Sequence, residues 1–144
     1  MEAVIFIGIQ GAGKSTFYKR RFFDTHVRIN GDMLKTKHRE AVLIKACLET
    51  KQKFVVDKMN LKREQRARYI SDAKSAGFRV AGYYFQAALK KAIERNSRRE
   101  GKARVPDTAV YAAFHNLQMP YFDEGFDELY CVWIDENGEF VIEN

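Results

Sequence analysis

Apolar residues fall in short blocks separated by charged stretches, and the blocks alternate between two periods. Residues 3–7 (Ala-Val-Ile-Phe-Ile) and 54–57 (Phe-Val-Val-Asp) are near-continuous apolar runs, the pattern of strands covered on both faces. Residues 26–30 and 78–85 predict two more strands. Between them, helices are predicted over 14–23, 32–50, 62–76 and 87–99. Within 32–50, Ala41, Ile44 and Leu48 recur at three and four residues and so share one helical face. Asn60 is placed to cap the 62–76 helix on entry, and Gly77 to stop it. A basic loop over 100–104 precedes another helix over 107–117. The last two strands, 129–134 and 139–142, flank Asp135-Glu136-Asn137-Gly138, where Asn-Gly favours a tight hairpin turn. Strands alternating with helices imply an α/β three-layer sandwich, with a mostly parallel central sheet covered on both faces. A single domain is expected over 1–144. Ligands of such sheets bind at the carboxyl ends of the strands, which directs attention to the polar residues there.

The first strand runs into Gly-Ile-Gln-Gly-Ala-Gly-Lys-Ser at residues 8–15, a complete G-x-x-x-x-G-K-[ST] phosphate-binding loop. Its glycines allow successive backbone N–H groups to turn inward around phosphate oxygens. The following helix adds the positive end of its dipole. Gly11, Ala12, Gly13, Lys14, Ser15 and Thr16 are the candidate nucleotide-binding residues. Lys14 would reach the β- and γ-phosphates of ATP, and the Ser15 hydroxyl would ligate Mg²⁺.

Three further groups carry two readings each. Asp32, after the second strand, either takes the proton of an acceptor hydroxyl or caps the next helix. Asp57, at the end of the third apolar strand, either supports the metal or satisfies the turn after it. Arg95 and Arg99 stand four apart in a basic segment. On one helix face they clamp donor phosphates, or they belong to a solvated surface. A cluster of Tyr111, Phe114, His115, Tyr121 and Phe122 is expected to pack in the core, with base stacking as the alternative.

Composition changes this picture little. The net charge of +6 favours anionic partners, and ATP alone satisfies that. Cys47 and Cys131, among apolar neighbours, read as buried thiols of a reducing compartment rather than a disulfide framework. No apolar run is long enough to span a membrane, and the chain enters its first strand without a signal-peptide pattern, so a cytoplasmic location is expected.

These residues together resemble the kinase domain of polynucleotide 5′-kinases, a branch of the P-loop phosphotransferases. The resemblance rests on Lys14-Ser15-Thr16, Ile29-Asn30-Gly31-Asp32, Val55-Val56-Asp57-Lys58-Met59-Asn60, and Glu94-Arg95-Asn96-Ser97-Arg98-Arg99 followed by Val105-Pro106. It implies an ATP- and Mg²⁺-dependent kinase acting on 5′-OH ends of DNA or RNA. It makes Asp32 the general base and Arg95 and Arg99 the paired lid arginines, with Asp57 matching the aspartate of the third strand. Lys35 falls where the family has an arginine near the acceptor, and lysine lacks the bidentate fork. Lys58-Met59 replaces a small polar pair, and Gln10 stands where proline is common. Related kinases are often fused to a phosphatase or ligase, so three arrangements stay open: the chain acts alone, belongs to a larger protein, or works with a separate phosphatase or ligase as repair partner. Two alternatives stay open: a kinase of a small-molecule hydroxyl (a metabolite, sugar nucleotide or antibiotic), and an ATP-binding regulatory module.

Overall fold

Successive residues of the first strand face opposite ways, and this divides the interior into two cores. The computed structural model describes residues 1–144, apart from the side chain of Lys102. Its strands are β1 (Glu2–Ile7), β2 (Val27–Ile29), β3 (Phe54–Val56), β4 (Arg79–Phe85), β5 (Glu128–Ile134) and β6 (Phe140–Glu143). They form one sheet in the order β2-β3-β1-β4-β5-β6, parallel except for β6, which runs antiparallel to β5. The helices are α1 (Lys14–Arg21), α2 (Gly31–Leu34), α3 (Lys37–Thr50), α4 (Arg63–Ser75), α5 (Leu89–Ser97) and α6 (Asp107–Asn116). None is long and apolar enough to cross a membrane.

On one face, Val4 and Phe6 pack against Phe17 and Tyr18 of α1, Ala92 of α5, and Val110 and Ala113 of α6. Phe6, Phe17, Tyr83 and Phe85 meet mostly edge to face, with the Phe6–Phe85 centroids 4.9 Å apart. On the other face, Ala3, Ile5 and Ile7 pack against Ile44 and Cys47 of α3 and Ile70 and Ala73 of α4. The expected three-layer α/β sandwich is therefore present. Both cysteines are free thiols, Cys47 buried and Cys131 partly buried.

Several boundaries differ from expectation for local reasons. The helix expected over 32–50 is two helices, because the chain carries two N-caps. The Asn30 side chain accepts from Met33 N at 3.0 Å, and Thr36 Oγ1 accepts from Arg39 N at 3.1 Å. Between them Lys35 sits at φ 74°, with Thr36 N donating to Leu34 O at 2.9 Å, a tight γ-type turn. Asn60 does not cap α4. It is left-handed at φ 48°, and its Nδ2 donates to Phe6 O at 2.8 Å. Entry to α4 is satisfied instead by Gln65 Oε1, which accepts from Lys62 N at 3.1 Å. Gly77, at φ 81°, does end the α4 segment. Helix α5 stops at Ser97 rather than at residue 99. The final hairpin forms, with Asp135 Oδ1 accepting from Asn137 N and Glu139 N at 2.9 Å each and Gly138 left-handed at φ 77°. This is a three-residue loop, one longer than the two-residue turn.

The face of α4 holds a fully buried arginine. Arg66 pairs bidentately with Glu124, Nε to Oε1 at 2.9 Å and Nη2 to Oε2 at 3.0 Å. Its Nη1 donates to the carbonyls of Asn60, Leu61 and Gln118 at 2.9, 3.2 and 3.0 Å. The side chains are 0% and 2% exposed, so loss of one partner leaves the other charge buried and uncompensated. Arg66→Met is expected to lower the unfolding free energy by about 3–5 kcal/mol in urea denaturation. Arg63→Met, which removes a surface pair with Asp123, is expected to cost less than about 1 kcal/mol. Equal losses would refute the structural weight given to the buried pair.

Candidate active site

The phosphate loop is held at both ends by groups distant in sequence. Gly8 N donates to Met59 O at 2.9 Å, tying the loop to the segment after β3. Gly11 and Gly13 are left-handed at φ 78° and 95°. A Cβ on Gly11 would lie 2.5 Å from Ala92 O, so glycine there lets the loop rest directly on α5. The Lys14 ammonium donates to Gly8 O at 2.8 Å and Ile9 O at 2.7 Å, curling over the loop. Its surroundings pull its pKa down to about 8, chiefly through burial; Asp57 opposes the shift and the Arg99 charge adds to it. Gln10 Oε1 is buried without a hydrogen-bond partner among the described residues, an acceptor left over within the loop.

At the start of α1, Ser15 Oγ lies 3.4 Å from Asp57 Oδ2. Asp57 follows β3 and is 2% exposed. Its backbone is fixed to β2, with Asp57 N donating to Ile29 O at 2.8 Å and Asn30 Nδ2 donating to Asp57 O at 2.9 Å. Asp57 thus faces the phosphate loop rather than only satisfying a turn. Among the described residues no cluster of three or more His, Cys, Asp or Glu side chains forms a metal site. Ser15 and Asp57 together offer a hydroxyl and a carboxylate oxygen. That donor set fits Mg²⁺, which takes one or two protein oxygens and completes its shell with water and substrate phosphate.

The sequence reading missed Arg28, on β2. Its Nε donates to Asp57 Oδ2 at 2.8 Å and its Nη2 to Ser15 Oγ at 2.9 Å, while its Cζ lies 5.7 Å from the centroid of the Tyr18 ring. Lys58, the residue that departs from the family pattern, points elsewhere. It pairs with Glu40 Oε2 at 3.0 Å and contacts Tyr69 Oη at 3.3 Å. Burial, and after it the short hydrogen bond to Glu40, push the Tyr69 pKa well up.

Asp32 lies in the first turn of α2, three residues beyond the end of β2. It is exposed, and among the described residues its carboxylate has no hydrogen-bond or ion-pair partner. The capping alternative fails, because Asn30 caps α2. Lys35 is also exposed, at the tight turn that closes α2.

The basic segment that carries Arg95 and Arg99 comprises α5 and the residues after it. Arg95 Nη1 donates to Gly11 O at 3.3 Å, and Arg99 acts electrostatically on Lys14. Because α5 ends at Ser97, the two arginines do not share a helix face: Arg95 touches the phosphate loop, whereas Arg99 Nη1 donates to Ala103 O at 3.1 Å and acts on Lys14 only through its charge. Asn96 explains the pairing of Arg-Asn with a later Val-Pro. It is 0% exposed, its Nδ2 donates to Val105 O at 2.6 Å and its Oδ1 accepts from Val105 N at 3.0 Å. An open cavity of about 730 Å³ lies here, lined by Arg99, Arg104, Pro106 and Thr108 among others. The aromatic cluster is not core. α6 buries Val110 and Ala113, leaving Tyr111 and Phe114 at 46% and 40% exposure, and Tyr121 and Phe122 at 62% each. His115 is exposed too, edge-on to Phe114.

A family model described as an AAA domain matches residues 33–122, more than half of the chain. The bifunctional polynucleotide phosphatase/kinase of Schizosaccharomyces pombe is 29% identical over 132 residues, 87% of this chain and 32% of that protein. The chain therefore spans about a third of that relative's length. Kti12 from Chaetomium thermophilum, solved with ADP-AlF3, superposes with a TM-score of 0.70 at 16% identity, covering 94% of this chain and 92% of that one. A gluconokinase from Sinorhizobium meliloti gives 0.63 at 18% identity, covering 90% and 82%. At these identities the structural matches establish the fold, that of P-loop kinases.

The depressed Lys14 ammonium makes a pH-linked prediction. A phosphate in the loop stabilises the charged form, so nucleotide binding takes up a proton where free Lys14 is partly neutral. ATP affinity is expected to fall as pH rises through about 8, with net proton uptake on binding in the same range. Calorimetry in buffers of different ionisation enthalpy measures both. The sign for folding is opposite: the unfolded chain holds the proton more tightly, so this group's contribution to stability rises with pH above about 8. A pH-independent ATP affinity between 7 and about 9.5 would remove Lys14 from the phosphate site.

Proposed function

Because the chain belongs to the AAA domain family, we propose that it transfers the γ-phosphoryl group of ATP to the 5′-hydroxyl end of a DNA or RNA strand. The observation that carries this reading is the exposed, unpartnered Asp32 carboxylate on the β2 side of the phosphate loop. An acceptor base on an open surface suits the end of a polymer better than an enclosed metabolite. The similarity to a polynucleotide phosphatase/kinase over most of this chain supports the same acceptor.

In this reading the backbone of Gly11, Ala12 and Gly13 cradles the β-phosphate, and Lys14, Ser15 and Thr16 complete the donor site. Ser15 and Asp57 would hold Mg²⁺, which would supply charge neutralisation at the donor phosphates. The acceptor oxygen forms a bond to the γ-phosphorus while the bond to the β–γ bridging oxygen breaks, and ADP leaves. Asp32 takes the hydroxyl proton as that bond forms. Arg95 and Arg99 act where negative charge moves toward the leaving oxygen. Lys35 meets the acceptor strand as a point charge rather than a fork. Phosphoryl transfer of this kind requires positioning and charge neutralisation more than covalent chemistry.

The test is transfer of labelled γ-phosphate from ATP to matched 5′-OH DNA and RNA oligonucleotides, alongside a panel of sugars and nucleosides. Asp32→Asn is expected to lower oligonucleotide labelling by about 10²–10⁴-fold while ATP still binds. Labelling of a small molecule but of neither oligonucleotide would replace the polymer with a metabolite acceptor. ATP binding with no transfer to anything would leave a nucleotide-binding regulatory module.

A further inference from the structure

The two oxygens proposed to hold the divalent cation are already bridged by a cation of the protein itself. Arg28 lies 2.8 Å from Asp57 Oδ2 through Nε and 2.9 Å from Ser15 Oγ through Nη2, and its Nη2 is also 2.8 Å from Asp57 Oδ2. These oxygens stand 3.4 Å apart. A metal ligated by both, at about 2.0–2.1 Å from each, would lie in the space the guanidinium spans. It would also meet a like charge at contact distance. The two cations therefore exclude one another.

The surroundings favour exchange over permanence. The Asp57 side chain is 2% exposed and needs a compensating positive charge wherever the metal is. The Arg28 side chain is 25% exposed, so it has a route to solvent that Asp57 lacks. Its β2 backbone, paired with Val55 of β3, keeps the guanidinium tethered and able to return. The Tyr18 ring beneath it sets the bridging orientation. We propose that Arg28 and a divalent cation are alternative occupants of the Ser15–Asp57 gap, so that Arg28 sets the metal affinity of the site and withdraws when metal and nucleotide enter together. This rests on the reading of Ser15 and Asp57 as the metal's protein ligands.

The competition is measured without turnover, by titrating Mn²⁺ into the nucleotide-free protein and following the free ion by electron paramagnetic resonance. Thermal melting with and without Mg²⁺ is followed in parallel. Arg28→Met is expected to bind Mn²⁺ about tenfold or more tightly than wild type, because a competing unit charge has gone. Its melting temperature is expected to fall in EDTA and recover with Mg²⁺, whereas the wild type responds little. Arg28→Gln, which keeps a donor to Asp57 without the charge, should behave the same way, and stands in should the methionine variant not fold. Adding Asp57→Asn to either variant should abolish the gain. Equal Mn²⁺ affinity in wild type and Arg28 variants, abolished in both by Asp57→Asn, would overturn the competition and leave the metal ligands standing. Absence of Asp57-dependent Mn²⁺ binding in every variant, even with ATP present, would overturn the ligand assignment and the inference with it.

Discussion

The phosphate site depends on a guanidinium that never touches it. Arg66 is held by Glu124 and in turn holds the carbonyls of Asn60, Leu61 and Gln118. With the Asn60 carbonyl fixed, the Asn60 side chain reaches Phe6 O at the end of β1, and the neighbouring Met59 carbonyl takes Gly8 N. The start of the phosphate loop is thereby attached to α4 through a continuous series of hydrogen bonds. A loop of glycines has much backbone freedom to lose. These attachments restrict it before any ligand arrives, which is the physical content of a preorganised anion site. The same constraint explains why Asn60 adopts a positive φ: its side chain is committed to β1 rather than to the helix it precedes.

Around that fixed loop the charges are unbalanced by design of the topology. The parallel order brings Lys14, Arg28 and Asp57 together, and the lid adds Arg95 and Arg99. Four cations and one buried carboxylate are thus gathered around the loop, with Arg28 alone paired to Asp57. Such a set is costly without an anion, since the desolvated ammonium of Lys14 and the Arg99 charge oppose each other. A polyphosphate relieves that opposition. Burial is the main cause of the depressed Lys14 pKa, with the Arg99 charge adding to it, while the Arg28 bridge supplies the positive charge that the buried Asp57 carboxylate requires.

Much of this architecture is legible in the sequence, because it is written locally. The apolar runs at 3–7 and 54–57 contain no competing period, and the phosphate loop carries its own conformational requirements. The helix boundaries were less legible, although signals existed. Thr36 is a strong N-cap residue, and it divides the 32–50 stretch into α2 and α3. Arg66 stands four and seven residues before Ile70 and Ala73, which places it on the buried stripe despite its charge. Arg28 is harder to see. It belongs to a three-residue strand, and its partners Ser15 and Asp57 lie 13 and 29 residues away, so only the sheet order reveals the contact. The exposed aromatics of α6 and the segment after it reverse the expectation for a simple reason. The small residue Ala113 and Val110 fill the available space under the helix, and the larger rings have no place there.

The two sides of the site, donor and acceptor in the proposed function, are built to different standards of rigidity. On the donor side every element is cross-braced: β1 to the β3–α4 segment, α5 to Gly11, and Asn96 to Val105. On the other side, the exposed Asp32 sits on the four-residue helix α2, and the exposed Lys35 closes that helix at a positive φ. Short helices owe little to their own hydrogen bonds, so this segment takes its order from Asn30, which is itself bonded to Asp57 O. The Asp32 carboxylate, the acceptor base in the proposed function, is therefore anchored through the same strand end that carries Asp57. A change in how Arg28 and Asp57 meet would be felt at Asp32 through two residues of backbone. In the proposed function this shared anchor, the Asn30 bond to Asp57 O, is the route by which donor loading would be coupled to acceptor alignment.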